Sequence, residues 1–233
     1  MLKNVQTVAK IGTCIAAFAA AYFVSDLATW GFTFTRLQTT HDIGFTNQGT
    51  PPLSELNQKY FLKAQGGQSY VFFSEDGKYV LKFFKDMPRP LVLWPSYQQK
   101  KLGKLRRTLG GYNLAFTRLP EETGLVYLHL QPSNSPLLTN LVDRLNITHN
   151  VDLSSVYFVL QKKAEPLTSL PDLAQVSLLL SKRSAAHIAD HDPRLHTNLG
   201  WVDGKLVFTD PGRFVEDPTA SAEIPEKFLD YFR

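Results

Sequence analysis

A chain of 233 residues can form one sizeable domain or two small lobes around a shared core, and 43% hydrophobic with 20% charged content excludes a disordered chain. The net charge of +4 is modest, and the only cysteine is Cys14. Because Cys14 sits in an apolar N-terminal run, the globular part has no disulfide, thiolate metal site or cysteine nucleophile.

Lys3 and Lys10 precede the alanine-rich apolar run Ile11 to Val24. A positive start before a short apolar core has the form of a signal peptide. Extended through Leu27, Trp30 and Phe34, with Asp26 as its one charge, the same run makes a single membrane helix. Residues 1–34 are therefore expected to export the chain or anchor it. Lysines ahead of the run favour a cytoplasmic N-terminus, which would put the domain on the far side of the membrane. Residues 35–52, polar with Gly44, Gly49 and Pro51-Pro52, read as a linker. The domain proper then runs over 53–233, opening with a short helix or extended segment near Leu53.

Tyr60 to Lys85 holds apolar runs parted by Gly66-Gly67 and by Glu75-Asp76-Gly77-Lys78. Asp-Gly between apolar runs is a strong hairpin signal. Three antiparallel strands are predicted near 60–65, 69–74 and 79–85. Lys82 stands among Val80, Leu81, Phe83 and Phe84, where it needs an anion or a route to water. A phosphate would satisfy it, and the glycine turn would let backbone N–H groups approach that phosphate.

Glycine turn, strand, turn, then Val80-Leu81-Lys82 resembles the opening of the protein-kinase-like superfamily. The resemblance implies an α+β, two-lobed fold with an antiparallel N-lobe sheet (about 53–161) and a reduced helical C-lobe (about 162–233). Gly66 and Gly67 would contact nucleotide phosphate, though the family's later loop glycine is replaced near Ser69.

Met87 to Pro95 reads as a loop, and Gln98 to Leu109 as a basic helix interrupted at Gly110-Gly111. Tyr112, Ala115, Phe116 and Leu119 then repeat at helical spacing. A nucleic-acid or anionic-membrane patch is the sharper reading of Lys100, Lys101, Lys104, Arg106 and Arg107. Without interleaved aromatics the run reads as a solvated helix face, and no nucleic-acid partner is expected. The family pairs a helix glutamate with the strand lysine. Only Glu121 or Glu122 is placed to serve. Gly124–Leu130 and Ser155–Leu160 read as core strands, with a further strand near Leu138 to Val142. By resemblance, the backbone from Leu160 through Gln161 to Lys162 would face an adenine ring. Pro171-Asp172 starts a helix with Leu173, Val176, Leu179 and Leu180 on one face.

The stretch His187 to Gly212 carries the chemistry. Asp190 and Asp192 precede Asn198 by eight and six residues, and a hairpin turned at Asp203-Gly204 leads to Asp210-Pro211-Gly212. The resemblance implies that Asp192 or Asp190 orients an acceptor hydroxyl and that Asn198 and Asp210 hold Mg²⁺. Lys82 would hold the phosphates of ATP. Oxygen donors suit a hard cation. His187, His191 and His196 crowd the same loop, but no pair has helical zincin spacing. No nucleophile elbow surrounds Ser184, which disfavours a serine hydrolase. The 21 residues after Gly212 are too few for the substrate-binding helices of ordinary protein kinases. A small-molecule or lipid-like acceptor, or a protein partner completing the lobe, is expected. The rival reading is a pseudokinase that binds nucleotide or protein without turnover; a third is an exported interaction protein with no nucleotide site.

Overall fold

The computed structural model describes residues 2–37, 39–40, 42–85, 95–192 and 194–233, with residues 2–9 described through their backbone alone. The N-terminal run forms α1 (Leu2–Thr29). Its Lys10–Thr29 portion is long and apolar enough to cross a membrane, as a signal sequence would also be, and none of it is buried against the protein. At about 1.5 Å per residue, 20 residues span roughly 30 Å, the thickness of a hydrocarbon core. The helix ends through Trp30 and Gly31, both at positive φ (55° and 65°), with Gly31 N–H returning to the Asp26 carbonyl at 2.8 Å. A left-handed tryptophan is costly. It persists here with Arg144 lying over its ring at 4.4 Å.

Residues 35–52, expected as a linker, lie on the domain as a strap. Leu37 and Ile43 are buried. Leu37 bridges to Lys85, Thr39 to Val156 and Gln48 to Leu128. Asn47 Oδ1 accepts the Leu130 and Gln131 N–H groups at 2.7 and 2.9 Å. The glycines and prolines describe its irregular backbone, and its apolar side chains decide that it packs.

A short helix, α2 (Leu53–Leu56), leads into the sheet. The three predicted strands appear as β1 (Lys59–Gln65), β2 (Ser69–Ser74) and β3 (Tyr79–Phe84). The Met87–Pro95 loop falls, but for Pro95, outside the described residues. The basic segment and the aromatic segment after it are one helix, α3 (Pro95–Arg118), which runs through Gly110-Gly111 without a break. Glycine weakens a helix but does not stop it when packing demands one. A Cβ on Gly111 would stand 2.5 Å from the Pro211 carbonyl oxygen and 3.1 Å from the Gly212 carbonyl carbon. Gly111 is therefore the point of close approach between α3 and the Asp210-Pro211-Gly212 turn.

After α4 (Pro120–Thr123), β4 (Leu125–His129), β5 (Leu138–Val142), β6 (Thr148–Asp152) and β7 (Phe158–Lys162) complete a seven-stranded sheet ordered β4-β7-β3-β2-β1-β5-β6. Its pairs are antiparallel except β1–β5. Side chains alternate across a sheet. Leu81, Phe83, Phe158 and Leu160 therefore pack on one face with Phe32 and Leu37 of the N-terminal segment. Phe84 and Val159 pack on the other face with α3 and the C-terminal part. Lys82, between Leu81 and Phe83, points to that second face and pairs in register with Val159.

The C-terminal part is small. It holds β8 (Glu165–Pro166), α5 (Leu173–Ala185), β9 (Ile188–Asp190), the β10 (Leu199–Val202) and β11 (Lys205–Phe208) hairpin, β12 (Phe214–Glu216) and α6 (Glu226–Asp230). Asp172 caps α5 by accepting the Ala174 N–H at 3.0 Å, and Val176, Leu179 and Leu180 form its buried face. The β10–β11 turn takes Asp203 and Gly204 at φ 50° and 75°, as an Asp-Gly hairpin requires. The chain is thus α+β, consistent with the kinase-like expectation.

The Gly111 contact makes a paired prediction. Gly111→Ala is expected to destabilise the protein by about 1–3 kcal/mol through overpacking. Gly103→Ala, on the same helix with no atom within 4 Å of the added Cβ, is expected to stabilise it by about 0.5–1 kcal/mol. Urea unfolding followed by tryptophan fluorescence reads both. Equal shifts would remove the close contact as the reason for a glycine at 111.

Candidate functional site

β3 supplies a cation to the second face of the sheet, α3 runs beneath it, and the end of β11 delivers Thr209 and Asp210 opposite. Lys82 Nζ donates to the Thr209 carbonyl at 2.5 Å and to the Tyr112 hydroxyl at 3.3 Å. The Tyr112 hydroxyl donates in turn to Asp210 Oδ1 at 2.8 Å, which also accepts the Gly212 N–H at 3.3 Å. Lys82 and Asp210, far apart in sequence, thus share one tyrosine hydroxyl. Desolvation pushes the Lys82 ammonium down, and the Asp210 charge pulls it back up. Burial, then Asp210, raises the Tyr112 phenol well above its ordinary value, so it stays protonated and donates.

Neither glutamate expected beside Lys82 is there. Glu122 pairs with Lys182 at 2.5 Å, and Glu121 lies 3.9 Å from Lys205. Both stand on the one-turn α4, beyond the end of α3, so they face the C-terminal part instead of the sheet. The group that α3 presents to Lys82 is Tyr112. A tyrosine at core spacing gives no sequence signal for that role.

Gln161 also departs from expectation. Its side chain is buried and donates to the Thr123 carbonyl at 2.6 Å and the Phe208 carbonyl at 3.4 Å. Its strand lies between β3 and β4, so the Leu160 and Gln161 backbone is committed to the sheet, and Lys162 N–H donates to the Gly124 carbonyl at 2.8 Å. The neighbouring strands thus engage the Leu160 and Gln161 backbone, and Gly124 engages the Lys162 N–H. Gly66 and Gly67 form the β1–β2 turn. Gly66 N–H closes the turn on the Ser69 carbonyl at 2.9 Å, and Gly67 borders a cavity shared with the start of α3.

The loop between β9 and β10 separates its two aspartates chemically. Asp190 is buried deeply, its side chain 3% exposed and 3.9 Å from Arg183. Desolvation raises its carboxyl above the usual range, the Asp192 N–H and Arg183 oppose this, and the Asp192 and Asp210 charges add to it. Asp192 is gripped by Arg194 at both oxygens, Oδ1 to Nε at 3.0 Å and Oδ2 to the guanidinium at 2.9 Å, and accepts the Arg194 N–H at 3.1 Å. The Arg194 grip holds its carboxyl well below the ordinary range, with the nearby Asn198 side chain adding to the effect. Asn198 is buried, its carbonyl accepts the Thr209 N–H at 2.8 Å, and its Nδ2 has no hydrogen-bond partner among the described residues. A buried, unpartnered amide beside two carboxylates is what a polar ligand would satisfy. Asp210, Asn198 and Asp190 carry oxygen atoms of the kind a hard cation takes. Among the described residues, however, no group of three or more His, Cys, Asp and Glu is placed to hold a metal ion, the loop aspartates and the three histidines alike. His196 instead stacks on Tyr231 at 3.8 Å.

No family model and no curated protein matches the chain. Among solved structures, it is similar to WbdD bound to the kinase inhibitor LY294002, with 14% identity over 73% of this chain and 35% of that one and a TM-score of 0.41. Monomeric WbdD aligns at 16% identity over 81% and 40%, with a TM-score of 0.40. The bifunctional kinase-methyltransferase WbdD aligns at 16% over 84% and 39%, with a TM-score of 0.36. The chain therefore spans well under half of each of these proteins. At such scores the likeness carries no argument, and the reading of the site rests on its own residues.

Because the Asp192 carboxyl is depressed in the folded state, its contribution is full above the unfolded value of about 3.9 and is lost as pH falls through the folded value. Asp192→Asn is expected to cost about 1 kcal/mol at neutral pH, a low figure because the partner guanidinium is exposed. The gap from wild type should close as pH drops below about 4. Urea midpoints measured at several pH values read this directly; a gap that stays constant contradicts the Arg194 grip.

Proposed function

We propose that this is a kinase-like domain that binds ATP with Mg²⁺ and transfers its terminal phosphoryl group to an acceptor hydroxyl. The observation that carries the reading is the Lys82–Tyr112–Asp210 chain. It joins Lys82, which points to the second face of the sheet, to the aspartate after the hairpin. A desolvated ammonium requires oxygen acceptors, here a carbonyl and a phenol oxygen. Phosphate oxygens are stronger acceptors, so Lys82 is set to exchange its 2.5 Å bond to Thr209 for one to nucleotide.

When bound, Mg²⁺ would neutralise charge between phosphate groups. Asp210 and Asn198 would hold it, and Tyr112 would fix the Asp210 carboxylate by its donated hydrogen bond. Asp190, whose carboxyl is raised by burial, is the better disposed of the two loop aspartates to take a proton. Asp192, held ionised by Arg194, serves better to orient a hydroxyl. The second reading is a pseudokinase, favoured by one specific feature: the two-point Arg194 grip leaves Asp192 engaged. The proposal also takes α1 as a membrane anchor.

Calorimetric titration of the full chain with ATP, with and without Mg²⁺, tests both readings. Binding is expected to need Mg²⁺ and to weaken at least about tenfold in Lys82→Ala and in Asp210→Asn, the loss of one charge-assisted contact. Absence of binding, or binding untouched by these substitutions, sinks both. Binding without any phosphorylated product leaves the pseudokinase.

A further inference from the structure

A broad groove lies where α1 meets the domain. It is a cavity of about 700 Å³ whose lining includes Arg36, Lys85, Lys101 and Arg144 together with Phe23 and Leu27 of α1. Among the described residues its one acid is Asp26, which is paired with Arg36 at 3.2 Å. A second cavity of about 270 Å³ continues it over the first half of α3. The two share Gly67, Lys85, Tyr97 and Lys101, and the second adds Lys100 and Lys104 and, among the described residues, no acid. Among the described residues six cations and one carboxylate thus line a continuous surface.

The two arginines are held in place. Arg144 donates to the Leu27 carbonyl at 2.8 Å while lying over Trp30. Arg36 donates to the Gly31 carbonyl at 2.9 Å and to the Tyr22 hydroxyl at 3.1 Å. Tyr70 donates to the same Gly31 carbonyl at 2.5 Å. The end of α1 is therefore fixed to the sheet, and the groove cannot drift from the helix. Lys85 is pushed below its ordinary pKa by desolvation first and by the Arg36 charge second, with the Asp26 charge opposing both. A further anion at this wall would favour the charged lysine.

The place of the groove on α1 decides what the anion is. Phe23 and Leu27 belong to the apolar portion that is long enough to span a bilayer. Trp30 and Tyr97 stand at the same level, and such aromatics settle at the headgroup depth. A cavity with apolar residues of a span on one side and cations on the other matches a phospholipid, with acyl chain along the helix and phosphate against the cations. We infer that the groove between the end of α1 and the start of α3 binds the headgroup of an anionic phospholipid, with Lys85, Lys100, Lys101 and Lys104 as its charged wall. The inference rests on α1 being a membrane anchor. It also gives the basic first half of α3 a partner, where the bare sequence reads as a solvated face.

The test uses the full chain reconstituted in vesicles and quenching of its tryptophans by lipids brominated on the acyl chains, either phosphatidylglycerol or phosphatidylcholine. Wild type is expected to prefer the anionic lipid roughly fivefold or more, from about 1 kcal/mol per basic residue at the surface. The triple variant Lys100→Gln, Lys101→Gln, Lys104→Gln should fall towards no preference. Lys100→Glu with Lys104→Glu should do so with only exposed positions changed. Lys205→Gln with Lys227→Gln, on the C-terminal part, should behave as wild type. Equal quenching by both lipids in wild type overturns the inference while leaving the anchor intact, and so does a preference that survives both α3 variants. Absence of quenching by either lipid overturns the anchor reading and the inference with it.

Discussion

A lysine on the inner face of a packed sheet must find oxygen. Lys82 is forced there by alternation, since Leu81 and Phe83 fill the opposite face with Phe32 and Leu37. Much of the site follows from satisfying that one ammonium. The Thr209 carbonyl comes from the end of β11, and the Tyr112 hydroxyl from the middle of α3. Each acceptor has to be carried in by a separate element. The helix reaches its position only because Gly111 lets it touch the turn that carries Asp210. One desolvated charge therefore sets the spacing between sheet, helix and hairpin.

The two aspartates of the β9–β10 loop illustrate how environment divides identical groups. They are two residues apart and joined by a hydrogen bond from the Asp192 N–H to Asp190. Asp190 is sealed beneath α5 near a distant arginine, and Asp192 is clasped by a near one. Burial without close pairing raises a carboxyl, while two-point pairing lowers it. The loop thus carries one group disposed to hold a proton and one disposed to shed it, which sequence order alone does not distinguish.

What the sequence made legible was whatever local chemistry dictates. Asp76-Gly77 and Asp203-Gly204 announce their hairpins, Asp172 announces α5, and alternation places Lys82 between two faces. The groups that escaped are those whose role depends on distant chain. Tyr112 reads as a core residue at helical spacing, and only the arrival of Asp210 gives its hydroxyl a function. Arg194 follows Asp192 so closely that it reads as a surface charge. Glu122 follows α3 closely in sequence, as a partner for Lys82 would, yet a helix of one turn directs it to Lys182. Gly110-Gly111 reads as a break because propensity is local and the contact that needs a glycine is not. The strap was hidden for the opposite reason: its turn residues are conspicuous, and the few apolar side chains that pin it are not.

The attachment of α1 has a mechanical consequence. Tyr70, Arg36 and Arg144 grip its last turns, and the strap then bridges Lys85, Val156 and Leu128. Among the described residues the connection between helix and sheet is pinned at each of these points. Tilting α1 therefore acts as a torque on the end of β3, an interior strand, where Lys85 stands three residues along from Lys82. The helix is a handle, and whatever sets its angle also sets the attitude of the whole domain.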